Sequence, residues 1–182
     1  MSILEAIAAL LGLLGVVFGM QQRRESWLCW IASSAIYVVV MWQTALYGQL
    51  LVMSVFILMA LWGYQRWGQS ETAVTALPVR HLIALVMLTG LASLALASFQ
   101  ADTANPNPWL DSAVTCLSLA AMWLMARRHL LCWPTWGLVN ALSVVLYFKQ
   151  NLLATMVLYA LQFALSLTGY RAWRKQPGSE IG

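Results

Sequence analysis

The chain has 182 residues, of which 62% are hydrophobic and only 9% are charged, whereas soluble domains carry about a quarter charged residues. This composition excludes a water-soluble globule and favours a protein that lies in a lipid bilayer. The net charge of +4 comes as separate basic pairs beside apolar runs, so nucleic acid is not an expected partner.

Seven apolar segments follow one another along the chain. Each is close to the ~20 residues that a helix needs to cross ~30 Å of hydrocarbon. We predict an all-α integral membrane protein with seven transmembrane helices, at 2–20, 27–43, 48–67, 81–99, 109–126, 131–148 and 151–170. The first segment lacks the basic start of a signal peptide and contains Glu5, so we interpret it as a true span.

The basic residues indicate how these helices are oriented. With seven spans, nine Lys and Arg side chains fall on one side of the membrane and only Lys149 falls on the other. The nine are Arg23, Arg24, Arg66, Arg80, Arg127, Arg128, Arg171, Arg174 and Lys175. Because cytoplasmic loops carry the excess of basic residues, we expect the N-terminus outside the cell and the C-terminus in the cytoplasm.

The chain also matches itself at an offset of 106 residues. Two tryptophan pairs align, and the motif G-Y-x-x-W at 63–67 meets the same motif at 169–173. The aligned pairs are Trp27 with Trp133 and Trp30 with Trp136. Ten of the 41 positions from 27 to 67 are identical, but the coincidence of these motifs at one offset indicates a repeat more strongly than that count.

The repeat predicts a 3+1+3 organisation. Two parallel three-helix repeats, at 1–67 and 108–174, are joined by a linker with helix 4 at 68–107 and followed by a cytoplasmic tail at 175–182. Parallel repeats are one known plan for transporters, in which the substrate site lies at the repeat interface.

Aromatic and polar side chains share one face on several predicted helices, at 100° per residue. Polar groups at membrane depth are costly unless they face protein or water, and aromatic walls with a few amides and hydroxyls suit a flat, polar solute. Tryptophan faces also attract cations. The predicted substrate-binding residues are Trp30, Ser34, Tyr37, Trp136, Asn140, Ser143, Tyr147, Tyr159 and Gln162.

These assignments have structural alternatives. Tryptophan is common at membrane interfaces, which applies to Trp27 and Trp133 in particular. The amide of Asn140 can make an interhelical hydrogen bond, and serines can bond a carbonyl of their own helix. Glu5 and Asp111 are predicted to form a cation-attracting mouth, or else to interact with the helix dipole.

The sequence predicts neither an enzyme nor a cofactor or metal site. Cys29, Cys116 and Cys132 form no C-x-x-C pair, and His81 and His129 have no second ligand four residues on. A retinal protein would need a lysine at mid-membrane, and both lysines lie at helix ends. An intramembrane enzyme would need clustered acid–base groups, and none is evident.

Several stretches resemble a known family. I-L-E-A-I-A-A-L-L-G-L-L at the start, and W-L-D-S, A-R-R-H-L-L-C-W-P-T-W-G-L-V-N-A-L-S-V-V and G-Y-R-A-W within 108–173, resemble the PnuC family of bacterial vitamin-precursor transporters. The 3+1+3 plan is similar to the SWEET superfamily. The resemblance implies a homotrimer in the bacterial inner membrane that carries nicotinamide riboside by facilitated diffusion, after which phosphorylation in the cytoplasm traps the solute.

The resemblance leaves the solute open. Ser34, Met53 and Ala60 stand where the family often has Asn, Gln and Asn, which would suit a carboxamide. Thiamine or riboflavin is the alternative within the family, and a sugar, as in SWEET proteins, is a more distant one.

Overall fold

The computed structural model describes residues 3–43, 47–69, 73–101 and 105–175. These residues form α1 (Ile3–Met20), α2 (Glu25–Gln43), α3 (Tyr47–Gln69), α4 (Val79–Gln100), α5 (Pro108–Ala126), α6 (Cys132–Lys149) and α7 (Leu153–Arg174). Each predicted segment corresponds to one helix, and the ends differ by at most four residues. The predicted all-α class is therefore confirmed.

Six of the seven helices are long and apolar enough to cross a membrane, and α6 is the exception. Its 18 residues reach about 27 Å at 1.5 Å per residue, so its length suits a span. Its composition is less apolar because it carries Trp136, Asn140, Ser143 and Lys149, most of which belong to the predicted binding face. The polar side chains that lower the hydropathy of α6 thus include residues that we expect to contact the solute.

Contacts divide the chain into two compact units, Met1–Ala73 and Val74–Gly182. In the first unit α2 packs against α1 and α3, and in the second α4 packs on α5, α5 on α6 and α6 on α7. The packed helices are therefore neighbours in the sequence. The 3+1+3 division, with α4 as a linker, stays a prediction.

The turn between α1 and α2 has the same backbone conformation as the turn between α5 and α6. Gln22 and Arg128, which are 106 residues apart, have positive φ angles of 54° and 55°. The next residue in each turn, Arg23 or His129, donates its backbone N–H to the carbonyl five residues back at 2.9 Å. This closure of a helix end through a left-handed residue also occurs at Asn151, between α6 and α7, so it agrees with the predicted repeat without being specific to it.

In the first unit, the opening tryptophan of the repeated motif is a core residue. Trp27 is fully buried, and an added Cβ at Gly63 of α3 would lie 2.6 Å from its ring. Trp67 meets the Trp27 ring edge-on, with ring centroids 5.4 Å apart and planes at 90°. The glycine and the tryptophan of G-Y-x-x-W therefore hold α3 against α2.

The second unit has the same arrangement. Trp133 is buried and lies over Gly169 of α7 so closely that a Cβ there would overlap its ring. Trp173 meets Trp133 edge-on at 5.5 Å and 88°. In each unit, the opening tryptophan of the tryptophan pair thus contacts the glycine and the tryptophan of the G-Y-x-x-W motif. This contact is a packing reason for both motifs to recur at the 106-residue offset.

A short segment before α4 attaches to the turn between α5 and α6. Thr75 donates its backbone N–H to the Arg128 carbonyl and accepts from the Leu130 N–H, both at 3.1 Å. The Thr75 hydroxyl lies 2.9 Å from Nδ1 of His129. These bonds fix the start of α4 relative to α6 within the second unit, and they give His129 a structural partner.

Candidate functional site

Asn140 forms a hydrogen-bonded connection from the middle of α6 to α7. Its side chain is 2% exposed, and its Nδ2 donates to Oγ of Ser166 at 3.1 Å. The Ser166 hydroxyl donates to the backbone carbonyl of Gln162, one turn earlier on α7, at 2.8 Å. The interhelical bond that the sequence offered as the alternative role for Asn140 is therefore present, but it uses only one end of the amide.

The other end of the Asn140 amide is unsatisfied. Its Oδ1 and the Oγ of Ser143, which lies one turn further along α6, are buried and have no hydrogen-bond partner within the described part of the chain. Each such group costs about 1–3 kcal/mol, and buried polar groups in native proteins usually have partners. Because Asn140 and Ser143 lie one turn apart on the predicted binding face of α6, their two unsatisfied groups make this face a candidate binding surface.

An aromatic pair lies further along the same two helices. The rings of Tyr147 on α6 and Tyr159 on α7 stack with centroids 5.1 Å apart and planes at 18°. Both side chains are partly buried. The structure thus brings together the predicted residues Tyr147 and Tyr159 from two helices. Gln162, also on α7, accepts a hydrogen bond from Ser166 at its backbone carbonyl.

The predicted residues of α2 have different surroundings. The Trp30 indole N–H donates to the Gly12 carbonyl of α1 at 3.3 Å, and its ring occupies the space that a side chain at Gly15 would fill. Ser33, which is not among the predicted site residues, is buried and donates to the Ala8 carbonyl at 2.8 Å. Trp30 and Ser33 therefore attach α2 to α1, whereas Ser34 is only partly buried.

The second unit does not repeat this attachment. The position equivalent to Gly15 is occupied by Ala121, which is fully buried. The position equivalent to Ser33 is occupied by Val139, which cannot donate a side-chain hydrogen bond. Trp136 is partly buried and lies one turn before Asn140 on α6. Trp30 and Ser33 of α2 thus bond to α1, while Asn140 and Ser143 of α6 keep unused hydrogen-bonding capacity.

Asp111, one of the two predicted mouth residues, belongs to a polar cluster that joins the end of α4 to the start of α5. Nδ2 of Asn105 donates to Oδ2 of Asp111 at 3.1 Å and to Oε1 of Gln100 at 2.7 Å. Glu5 lies in the first turn of α1, as Asp111 does in α5. Attraction of cations by these two carboxylates stays a prediction.

A groove of about 380 Å³ runs along α6 and α7. Its walls are mostly apolar, and none of the predicted site residues lines it. The lining residues are Trp133, Pro134, Gly137, Leu138, Ala141, Phe163, Ser166, Leu167 and Tyr170. Leu138 and Leu167 are about half exposed, so this groove has the character of a membrane-facing surface rather than of a site for a polar solute.

A model of the family described as nicotinamide mononucleotide transporter matches residues 2–175. The chain belongs to this family. Membership of the nicotinamide mononucleotide transporter family makes the protein a multi-pass membrane transporter rather than an enzyme, in agreement with its apolar helices.

Individual relatives cover nearly the whole chain. The nicotinamide riboside transporter PnuC of Neisseria mucosa is 27% identical, over 94% of this chain and 72% of that protein. The riboflavin/roseoflavin transporter RibM of Streptomyces davaonensis is 25% identical, over 93% of this chain and 83% of RibM. A solved structure, the crystal structure of the vitamin B3 transporter PnuC, matches with a TM-score of 0.75 at 25% identity, over 94% of this chain and 80% of the other.

Proposed function

We propose that this protein is a facilitative transporter for nicotinamide riboside, and that Asn140 and Ser143 of α6 bind the solute between aromatic side chains. The buried, unsatisfied Oδ1 of Asn140 carries the proposal, because a solute hydrogen-bond donor would satisfy it. The proposal is also supported by a relative that is named a nicotinamide riboside transporter. The positive pyridinium ring of the riboside suits the faces of Trp136, Tyr147 and Tyr159.

The same residues favour the riboside over the mononucleotide. The nine predicted substrate-binding residues include no Lys or Arg, which are the side chains that usually neutralise a phosphate. A phosphate at membrane depth without such a partner would be strongly disfavoured. We therefore propose that the phosphate is added only after transport, by a cytoplasmic enzyme that traps the solute.

Riboflavin is the second candidate, because RibM is a relative over most of the chain. Its ring system is flat but uncharged, and its hydroxyl groups can donate to Asn140. Thiamine, a cation with an aminopyrimidine ring, is the remaining solute that the family resemblance implied. Nicotinamide riboside differs from riboflavin in its positive charge.

Transport in proteoliposomes tests the function. We expect labelled nicotinamide riboside to equilibrate across the membrane without a sodium or proton gradient, because the predicted faces of α2 and α6 carry no acid–base relay. Thiamine and riboflavin, measured in parallel, should equilibrate more slowly. Accumulation above equilibrium driven by either gradient would show coupled transport, and uptake of riboflavin alone would favour the second candidate.

Trp30 and Trp136, the second tryptophan in each copy of the repeated motif, should differ in their roles in stability and in binding. Trp30→Phe loses the hydrogen bond to Gly12, so its melting temperature should fall by the equivalent of about 1 kcal/mol while affinity changes little. Trp136→Phe presents a smaller aromatic face, so affinity should fall several-fold, or about 0.5–1 kcal/mol, at an unchanged melting temperature. The opposite assignment of the two effects would contradict the proposed division of roles.

We also propose that the protein lies in the bacterial inner membrane with its N-terminus outside and its C-terminus in the cytoplasm. In a variant with Cys29, Cys116 and Cys132 replaced, Ala101→Cys should react with an impermeant thiol reagent added outside intact cells. Arg127→Cys, which is exposed like Ala101, should react only after permeabilisation. Reaction of Arg127→Cys in intact cells would reverse the orientation.

The assembly that we propose is the homotrimer implied by the family resemblance. α4 gives a surface that another copy can cover, since Ala97 is its single buried residue. Within each protomer we propose the repeats at 1–67 and 108–174, which the equivalent packing of Trp27 on Gly63 and of Trp133 on Gly169 supports.

A further inference from the structure

The hydroxyl of Ser166 both donates and accepts a hydrogen bond: it donates to Gln162 and accepts from Asn140. A serine hydroxyl has one hydrogen to donate, and in Ser166 it points to the Gln162 carbonyl at 2.8 Å. Towards Asn140, 3.1 Å away, the same oxygen can therefore only accept. The Asn140 side chain must turn its Nδ2, not its Oδ1, towards α7.

The reverse orientation of the amide is disfavoured. It would place Oδ1 of Asn140 against Oγ of Ser166, and a hydrogen would lie between the two oxygens only if Ser166 gave up its bond to the Gln162 carbonyl. Both side chains are at least 97% buried, so solvent does not compensate for the lost bond. Ser166 thus fixes the direction of the amide, and the atom that stays unsatisfied is the acceptor Oδ1.

We propose that Ser166 is a positioning residue that makes the site select solutes by the hydrogen-bond donor they carry. A carboxamide on the pyridinium ring donates an N–H to Oδ1 of Asn140. A carboxylate or an ester at the same ring position offers only acceptors, so it meets Oδ1 without a hydrogen. The inference rests on the proposed function, and it specifies that the protein takes the amide form of the riboside and rejects the acid form.

Binding of three ribosides to the purified protein tests this selection. They share the pyridinium ring and carry a carboxamide, a carboxylate or a methyl ester. The ester is the informative analogue because it keeps the net positive charge of the amide but has no N–H. The parent protein should bind the carboxamide roughly 10- to 100-fold more tightly than the ester, the range expected when a buried acceptor is left unpaired.

Three substitutions locate the origin of the selectivity. In Ser166→Ala the Asn140 amide can turn and present Nδ2, so the preference for carboxamide over ester should fall roughly tenfold, mainly through tighter binding of the ester and the acid. Ser166→Thr keeps a hydroxyl and should keep the preference. Ser118→Ala is the matched control, because Ser118 is a buried serine that bonds to the carbonyl four residues back in its own helix.

The outcomes are distinguishable. A parent protein that binds the carboxamide and the ester equally overturns the inference and leaves the proposed function standing. Equal loss of all three ligands in Ser166→Ala, with the preference intact, also overturns it, because Ser166 would then only support the fold. A parent protein that binds none of the three overturns the proposed function and the inference with it.

Discussion

Replacement of Asn140 by leucine is expected to weaken binding of nicotinamide riboside about 5- to 150-fold, which corresponds to about 1–3 kcal/mol. The amide oxygen is the buried acceptor that the proposed solute would satisfy, and leucine leaves the solute's donor without a partner. Titration of the purified variant in detergent measures the loss.

The fold should tolerate this substitution. The Ser166 hydroxyl stays bonded to the Gln162 carbonyl, so no buried donor loses its acceptor. Leucine also removes the buried, unsatisfied Oδ1 and is favourable in a membrane helix. The melting temperature without ligand should therefore stay the same or rise.

Ser34→Ala is the matched control for Asn140→Leu. Ser34 is the residue 106 positions before Asn140 and is partly buried, and its replacement should cost much less affinity. Parent-like binding by Asn140→Leu, or loss of binding only through unfolding, would show that the site does not lie on α6.

Gly169→Ala is expected to destabilise the protein by about 1–3 kcal/mol, the usual cost of overpacking. A methyl group at this position of α7 overlaps the ring of Trp133, and the ring is buried and held edge-on by Trp173. Gly63→Ala should have a similar effect in the first unit, where the added carbon would lie 2.6 Å from the Trp27 ring.

Gly90→Ala provides the control for these glycine variants. Nothing lies within 4 Å of a Cβ added at Gly90 in α4, so this variant should keep its melting temperature or gain up to about 1 kcal/mol from helix propensity. A double variant, Gly169→Ala with Trp133→Phe, should recover part of the loss, since the smaller ring leaves room for the methyl group. Equal melting temperatures for Gly90→Ala and Gly169→Ala would contradict the packing role of Gly169.

The sequence predicted the helices well because apolar length is a property of each segment by itself. Even α6, whose polar residues lower its hydropathy, was found at 131–148 and is observed at Cys132–Lys149. The 106-residue offset also identified the tryptophans and the G-Y-x-x-W motifs. It did not show that Trp27 contacts Gly63, because similarity between two segments does not reveal which residues inside one segment touch.

The candidate site was predicted only in part for the same reason. Helical periodicity places Asn140 and Ser166 on the polar faces of their own helices, but it does not fix the height at which α6 and α7 meet. Alignment with Asn140 points to Ser34, whereas the observed bond to α1 comes from its neighbour Ser33. Adjacent residues lie 100° apart on a helix, so only the packing decides which of the two faces the partner.

The packing of sequence neighbours has a consequence for the order in which the chain assembles. α1, α2 and α3 make their contacts with the helix before or after them, so little chain has to be closed into a loop to form each contact. Contacts of this local kind form early and fast. The first unit can therefore assemble while the ribosome is still synthesising α5 to α7, and a ribosome-bound chain ending near residue 110 should already bury Trp27.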